Sequence, residues 1–132
     1  MDKATRIIAI RHGETAWNVE TRLQGHKDIA LNAHGQWQAA RTAEALADED
    51  IAAIYTSDLA RARATAEAIA QRTTNHQARI VRLTPGLRER GFGIFEGQTY
   101  AQIATDWPEG SERWRRRDPD FAPPGGETLL QV

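Results

Sequence analysis

Arg11-His12-Gly13-Glu14-Thr15 sets a forked, permanently charged donor beside an imidazole. Such a pair suits a phosphate group. An imidazole that is neutral near physiological pH can also act as a nucleophile, and the glycine after it allows close backbone approach. Taken alone, the same residues equally describe a histidine in a surface loop. Ser57-Asp58-Leu59-Ala60-Arg61 is the second candidate. Arg61 falls within about a turn of a helix N-terminus, where a cation opposes the helix dipole at a cost of about 0.3–1 kcal/mol. An anion held between Arg61 and the helix amides would remove that conflict; the plainer alternative is an exposed Arg61 paired with Asp58. Arg63 has Glu67 four residues on and reads as a solvated helix pair. The third candidate is Leu87-Arg88-Glu89-Arg90-Gly91-Phe92-Gly93. The Glu89 carboxyl suits a general acid, or else a surface salt bridge.

The elements that must position these groups alternate in type. Ile7-Ile8-Ala9-Ile10 is a short continuous apolar run, as in a strand buried on both faces of a parallel sheet. Residues 11–31 read as a long loop with one helical turn. Asn32 is an N-cap for a helix over 33–48, with Ala39, Ala43, Leu46 and Ala47 on one face. A second buried strand spans 51–56. Ser57 caps a helix over about 58–72 with an apolar stripe from Leu59 to Ala70, and Arg79 to Leu83 alternates like a sheet-edge strand. Strands alternating with helices imply an α/β fold with a parallel sheet covered on both faces. Arg11, His12 and Arg61 then lie just beyond the carboxyl ends of strands, where such sheets bind ligands. Past residue 84 glycines and prolines mark loops. A short helix is expected from Thr99 to Trp107, burying Tyr100, Ile103 and Ala104. Arg113 to Arg117 reads as a solvated segment near the pocket mouth. The last six residues look like the start of an amphipathic helix.

Composition bounds the function. A length of 132 residues suits one domain. The formal net charge of −1 gives no basic field for nucleic acid. Mean hydropathy of −0.61 and the lack of a long apolar run argue against a membrane span and a signal peptide. The absence of cysteine excludes disulfides, thiolate metal sites and cysteine nucleophiles. A cytoplasmic protein is the default. His26, His34 and His76 form no helical pair four apart, so no metal site is expected. Of the apolar residues 22 are alanine, and Leu, Ile, Val and Phe number only 24. That is a small share for a globular domain, so part of the core is expected to lie outside this chain.

RHGETAWN (residues 11–18), SDLARARATA (57–66), LRERGFGIFEG (87–97) and PPGGET (123–128) together resemble the histidine phosphatase superfamily, in its phosphoglycerate mutase-like branch. The motifs stand in that family's order and reach nearly across the chain. The resemblance implies a three-layer α/β/α sandwich around a mainly parallel sheet, with residues 1–132 forming one domain. It implies His12 as the phosphorylated nucleophile, Arg11 and Arg61 as phosphate clamps, and Glu89 as proton donor. Asn18 matches a phosphate or substrate hydrogen-bonding position, and Thr15 and Gln24 match positions that often line the pocket. Trp17, Trp37 and Trp107 match nothing catalytic and read as packing residues. A second active-site histidine belongs to the family's pattern, and none of His26, His34 or His76 matches it. The expectation is therefore a chain truncated before that histidine, lacking the C-terminal part of its domain.

The activity so implied is hydrolysis of small phosphorylated metabolites through a phosphohistidine, with no metal or organic cofactor. Cofactor-dependent mutases of the family carry an extra segment after the Pro-Pro position. Here Pro123-Pro124 runs directly into Gly125-Gly126-Glu127-Thr128, as in the shorter phosphatase branch. A phosphoglycerate mutase and a non-catalytic phosphate-binding module stay open as alternatives. The implied partner is a small phosphorylated substrate, without nucleic acid or membrane, and homodimerisation is left open.

Overall fold

The computed structural model of the protein describes residues 4–132. A one-turn helix α1 (Ala16–Val19) starts on a reciprocal capping box between Thr15 and Asn18. Helix α2 (Ala33–Leu46) starts on Asn32, whose side chain accepts from the Gly35 amide at 2.7 Å. Strand β1 (Tyr55–Thr56), helix α3 (Ala60–Arg72) and strand β2 (Arg82–Leu83) follow. The two strands pair in parallel, Tyr55 with Arg82 and Thr56 with Leu83, so α3 is the crossover that a parallel pair requires. Helices α4 (Tyr100–Asp106) and α5 (Pro108–Arg115) complete the set, with single 3₁₀ turns between elements.

Two packing units carry the structure. Helices α2 and α3 lie side by side. Ala39 and Ala43 on one, and Ala66, Ile69 and Ala70 on the other, are buried, so the alanine-rich stripes let the helices approach closely. The second unit is an aromatic cluster of Phe92, Phe95 and Phe121 with Leu23 and Ile103, closed by Trp114. Trp114 meets Phe92 edge-on at 4.8 Å between centroids. Gly93, with φ +52°, lets residues 123–126 lie against this unit, because a Cβ there would stand 2.1 Å from the Pro124 carbonyl oxygen.

The structure differs from the expected elements in several places, and the strands expected over 51–56 and from Arg79 to Leu83 form a ladder only at Tyr55–Thr56 and Arg82–Leu83. Residues 7–10 join no ladder and leave Ile7 84% exposed. Apolar composition encodes a wish for burial, but a strand also needs a neighbour to pair with. Helix α3 starts at Ala60 without a cap from Ser57; its first amide instead donates to Asp28 Oδ1 at 2.7 Å, from a loop 32 positions away in sequence. In α4 only Ile103 is buried, while Tyr100 and Ala104 face outward. Residues 108–115 are helical rather than a loop. Pro108 sits at the first helical position, where its missing N–H costs nothing, and Trp114 turns inward from the arginine run. Trp37 and Trp107 are exposed rather than packed, with Trp37 stacked on His34. Among the described residues no helix is long and apolar enough to cross a membrane.

Candidate active site

The loop carrying His12 is clasped by backbone and side-chain bonds from both long helices. The Gly13 amide donates to Thr65 Oγ1 of α3 at 3.1 Å, and the Glu14 amide donates to Gln38 Oε1 of α2 at 2.8 Å. Asn32 donates from its backbone to the Glu14 carbonyl and from its side chain to Glu14 Oε1, each at 3.0 Å. Gly13 and Gly35 make this possible. A Cβ on Gly35 would lie 2.0 Å from the Glu14 carbonyl oxygen, and one on Gly13 would lie 2.4 Å from that of Gly35. The start of α2 thus rests directly on the backbone after His12.

His12 is half-buried, with Nδ1 2.6 Å from the carbonyl oxygen of Gly13. A carbonyl only accepts, so Nδ1 carries the proton and Nε2 of the neutral ring keeps its lone pair. Burial lowers the His12 pKa below the ordinary 6.5. The charges of Arg61 and Arg11 push the same way, while the Gly13 bond and Glu89 oppose them.

Arg61, expected near a helix end and alternatively as an exposed partner of Asp58, is 1% exposed. Its guanidinium donates to the carbonyl oxygens of Lys27 and Gly25, each at 2.7 Å, and to Glu89 Oε2 at 2.9 Å. The electrostatic conflict at the start of α3 is relieved by two carboxylates, Glu89 on the arginine and Asp28 on the first amide. Asp58 pairs with Arg88 instead, at 2.6 Å, and that bond holds its carboxyl below the usual range. The Arg88-Glu89-Arg90 run therefore sends each side chain to a separate task. Arg90 donates to the Glu127 and Phe121 carbonyls and lies 4.7 Å over the Trp114 ring. Arg63 pairs with Glu67 at 2.8 Å, as its spacing implies.

A cavity of about 220 Å³ opens here, lined by Arg11, His12, Glu14, Asn18 and Gln38. Arg61 and Glu89 join His12 through their charges rather than through this lining. Thr15 and Gln24 do not line it. Thr15 is fully buried, donates to Gln24 Oε1 at 2.6 Å and accepts from the Asn18 amide at 3.2 Å. These two residues fold the loop that presents Asn18. Sequence reasoning missed Gln38 and Thr65. Each is a polar residue at the margin of an apolar helix stripe, and Thr65 stands one turn after Arg61, whose carbonyl it also bonds at 2.8 Å. Among the described residues no group of three His, Asp or Glu side chains is disposed to hold a metal ion. A roomier hollow of about 360 Å³, lined by Glu67, Ala70, Gln71 and Arg79, contains none of these groups.

Residues 7–132 match the family model described as histidine phosphatase superfamily (branch 1). The chain is 39% identical over 130 residues to a glucosyl-3-phosphoglycerate phosphatase of Mycobacterium tuberculosis, covering 98% of this chain and 56% of that protein. It is 41% identical over 126 residues to phosphoglycerate mutase-like protein 4 of Arabidopsis thaliana, covering 93% and 53%. The solved structure of mycobacterial glucosyl-3-phosphoglycerate phosphatase with VO3 superposes with a TM-score of 0.81 at 39% identity, over 91% of this chain and 57% of that one. The chain spans about half the length of the curated relatives it matches.

Proposed function

Because the chain belongs to the histidine phosphatase superfamily (branch 1), we propose that His12 receives a phosphoryl group from a small phosphorylated metabolite and releases it to water. The observation that carries this reading is the His12–Gly13 hydrogen bond beside two arginines. It leaves a neutral, aimed Nε2 where a phosphate would be held. In this scheme Nε2 attacks phosphorus in line, the P–O bond to the leaving group breaks, and Glu89 supplies the departing oxygen with a proton. Arg11 and Arg61 hold the equatorial oxygens, so positioning and electrostatics do most of the work. Glu89, now a carboxylate, then takes a proton from water as the water attacks the phosphohistidine.

Hydrolysis is favoured over mutase action by the docking of residues 123–127. The Ile94 amide donates to the Pro124 carbonyl at 3.0 Å and the Glu127 amide to Gly91 at 2.8 Å, so no covering segment interrupts that loop. The same reading takes residues 1–132 as part of one phosphatase domain whose second histidine lies outside them. His34 is stacked on Trp37 and His26 stands 3.3 Å from Glu127, so neither substitutes for it. A cytoplasmic location and the absence of a nucleic-acid partner belong to the reading too, supported by the cysteine-free composition and the net charge of −1. The test is a panel of sugar phosphates, phosphoglycerates and aryl phosphates. Release of inorganic phosphate is expected. Phosphoryl migration without release would make the protein a mutase, and binding without turnover would make it a binding module.

Two further outcomes follow from the geometry. Since the nucleophile must be neutral and burial lowers the His12 pKa, kcat/KM should persist as the pH falls below 6.5 and drop only on further acidification, as His12 protonates. Substrates whose own phosphate pKa values differ separate the two titrations; an enzyme limb above 6.5 would contradict a buried His12. Arg61→Ala should weaken inhibition by orthovanadate, which resembles the in-line transition state. Loss of a charge-assisted donor costs about 1.5–3 kcal/mol, roughly a ten- to hundredfold rise in the inhibition constant. A folded variant with unchanged vanadate affinity would leave Arg61 a structural arginine only.

A further inference from the structure

We propose that Gln38 is a positioning residue that fixes the tautomer and aim of His12 through the peptide group between Gly13 and Glu14. The two bonds belong to one amide. Its carbonyl oxygen, on Gly13, accepts from His12 Nδ1 at 2.6 Å, and its N–H, on Glu14, donates to Gln38 Oε1 at 2.8 Å. Bonds at the two ends of an amide polarise one another, so an acceptor on the N–H makes the carbonyl a better acceptor. Both also fix the plane of the amide, hence the direction in which its oxygen meets the ring. A flip of that peptide would turn an N–H toward Nδ1 and favour the tautomer with the proton on Nε2, which has no lone pair left for phosphorus. Gln38 makes such a flip costly by holding the N–H, and the Asn32 amide on the Glu14 carbonyl keeps the next peptide in place.

Gln38 is well supported for this task. It stands on α2 one turn after Gly35, whose backbone lies against Glu14, so helix and loop meet backbone to backbone beside it. Its own side chain reaches the edge of the cavity that His12 lines. The role rests on the reading of His12 as nucleophile, yet its first readout needs no turnover. The charges that bias His12 directly, Arg11, Arg61 and Glu89, are untouched by changes at Gln38.

The experiment uses the intact protein with ¹⁵N-labelled histidine and compares Gln38→Met, similar in shape without an oxygen acceptor, with Gln38→Glu, which keeps the acceptor. In the parent protein and in Gln38→Glu, the two ring nitrogens of His12 should report Nδ1–H and a bare Nε2. In Gln38→Met they should move toward a mixture of tautomers. The rate of phosphorylation should fall about ten- to hundredfold in Gln38→Met with KM little changed, and recover in Gln38→Glu. The acid limb of the rate should move down in pH in Gln38→Met, because the Gly13 bond that raises the His12 pKa is weakened. It should move up in Gln38→Glu. An unchanged tautomer in Gln38→Met overturns the proposal, even if the rate falls, since Gln38 would then act on the cavity alone. Should Gln38→Met not fold, Gln38→Asn retracts the acceptor by one methylene and must show the same mixture. A shifted tautomer in a protein that turns over no phosphate ester would uphold the role of Gln38 and refute the phosphatase reading.

Discussion

Replacement of His12 by alanine is expected to abolish transfer of phosphate to the protein. Brief mixing with a radiolabelled phosphomonoester, followed by a quench that avoids acid, should label the parent protein on His12. The bond should be labile in acid and stable in alkali, as a phosphoramidate is. Removing a covalent nucleophile can cost roughly 10⁶-fold in turnover, because the arginines and the acid then act on a reaction with no partner for phosphorus. Substrate should still bind, since Arg11 and Arg61 persist. His26→Ala, His34→Ala and His76→Ala serve as controls and should keep the label. These histidines occupy other surroundings, His34 on Trp37 and His26 beside Glu127. Label that survives in His12→Ala would mean that the nucleophile is another residue. The hydrogen bond from Nδ1 to Gly13 would then have no catalytic meaning.

The helices that carry the site were largely readable in advance because their signals are local. Asn32 lies three residues before the amide it caps, Arg63 lies four before Glu67, and the alanine stripe of α2 repeats at helical spacing. Such patterns are complete within one or two turns of chain. The partners that set the chemistry are not. Arg61 meets Gly25, Lys27 and Glu89 across 36, 34 and 28 positions, and nothing near Arg61 distinguishes Glu89 from Asp58 as its counter-charge. The pairing is decided by the course of the 24–28 loop, which also supplies the Asp28 cap that Ser57 was expected to give. The contact between Gly13 and Gly35 is of the same kind. A glycine three residues into a helix reads as a weakness of about 1 kcal/mol until the backbone it must touch is known. Residues 7–10 show the reverse error: their composition is that of a buried strand, but pairing is a property of two segments. Prolines past residue 84 suggest loops by composition, yet Pro108 starts α5, because proline marks the beginning of a helix as readily as its end.

Glu89→Gln should separate substrates by how badly their leaving groups need a proton. The departing oxygen of a sugar phosphate is a strongly basic alkoxide, whereas a nitrophenolate leaves without help. General acid catalysis is typically worth roughly 10²–10⁴-fold, so the phosphorylation rate should fall by about that factor with alkyl phosphates and far less with nitrophenyl phosphate. The Arg61–Glu89 bond at 2.9 Å sharpens the design of this experiment. In the ligand-free site Glu89 is paired with the buried Arg61 guanidinium, and a phosphate bound on Arg61 would compete for that bond. The substrate thus releases the carboxyl from its partner, and its half-exposed side chain has room to shift. Glutamine keeps the shape and can still accept from Arg61, so a structural role for Glu89 alone would be spared by the change. The comparison must be made in the burst phase, because losing the base also slows hydrolysis of the phosphohistidine. Equal losses on both substrates in that phase would assign Glu89 to holding Arg61 and the phosphate, and the proton would have to come from another group.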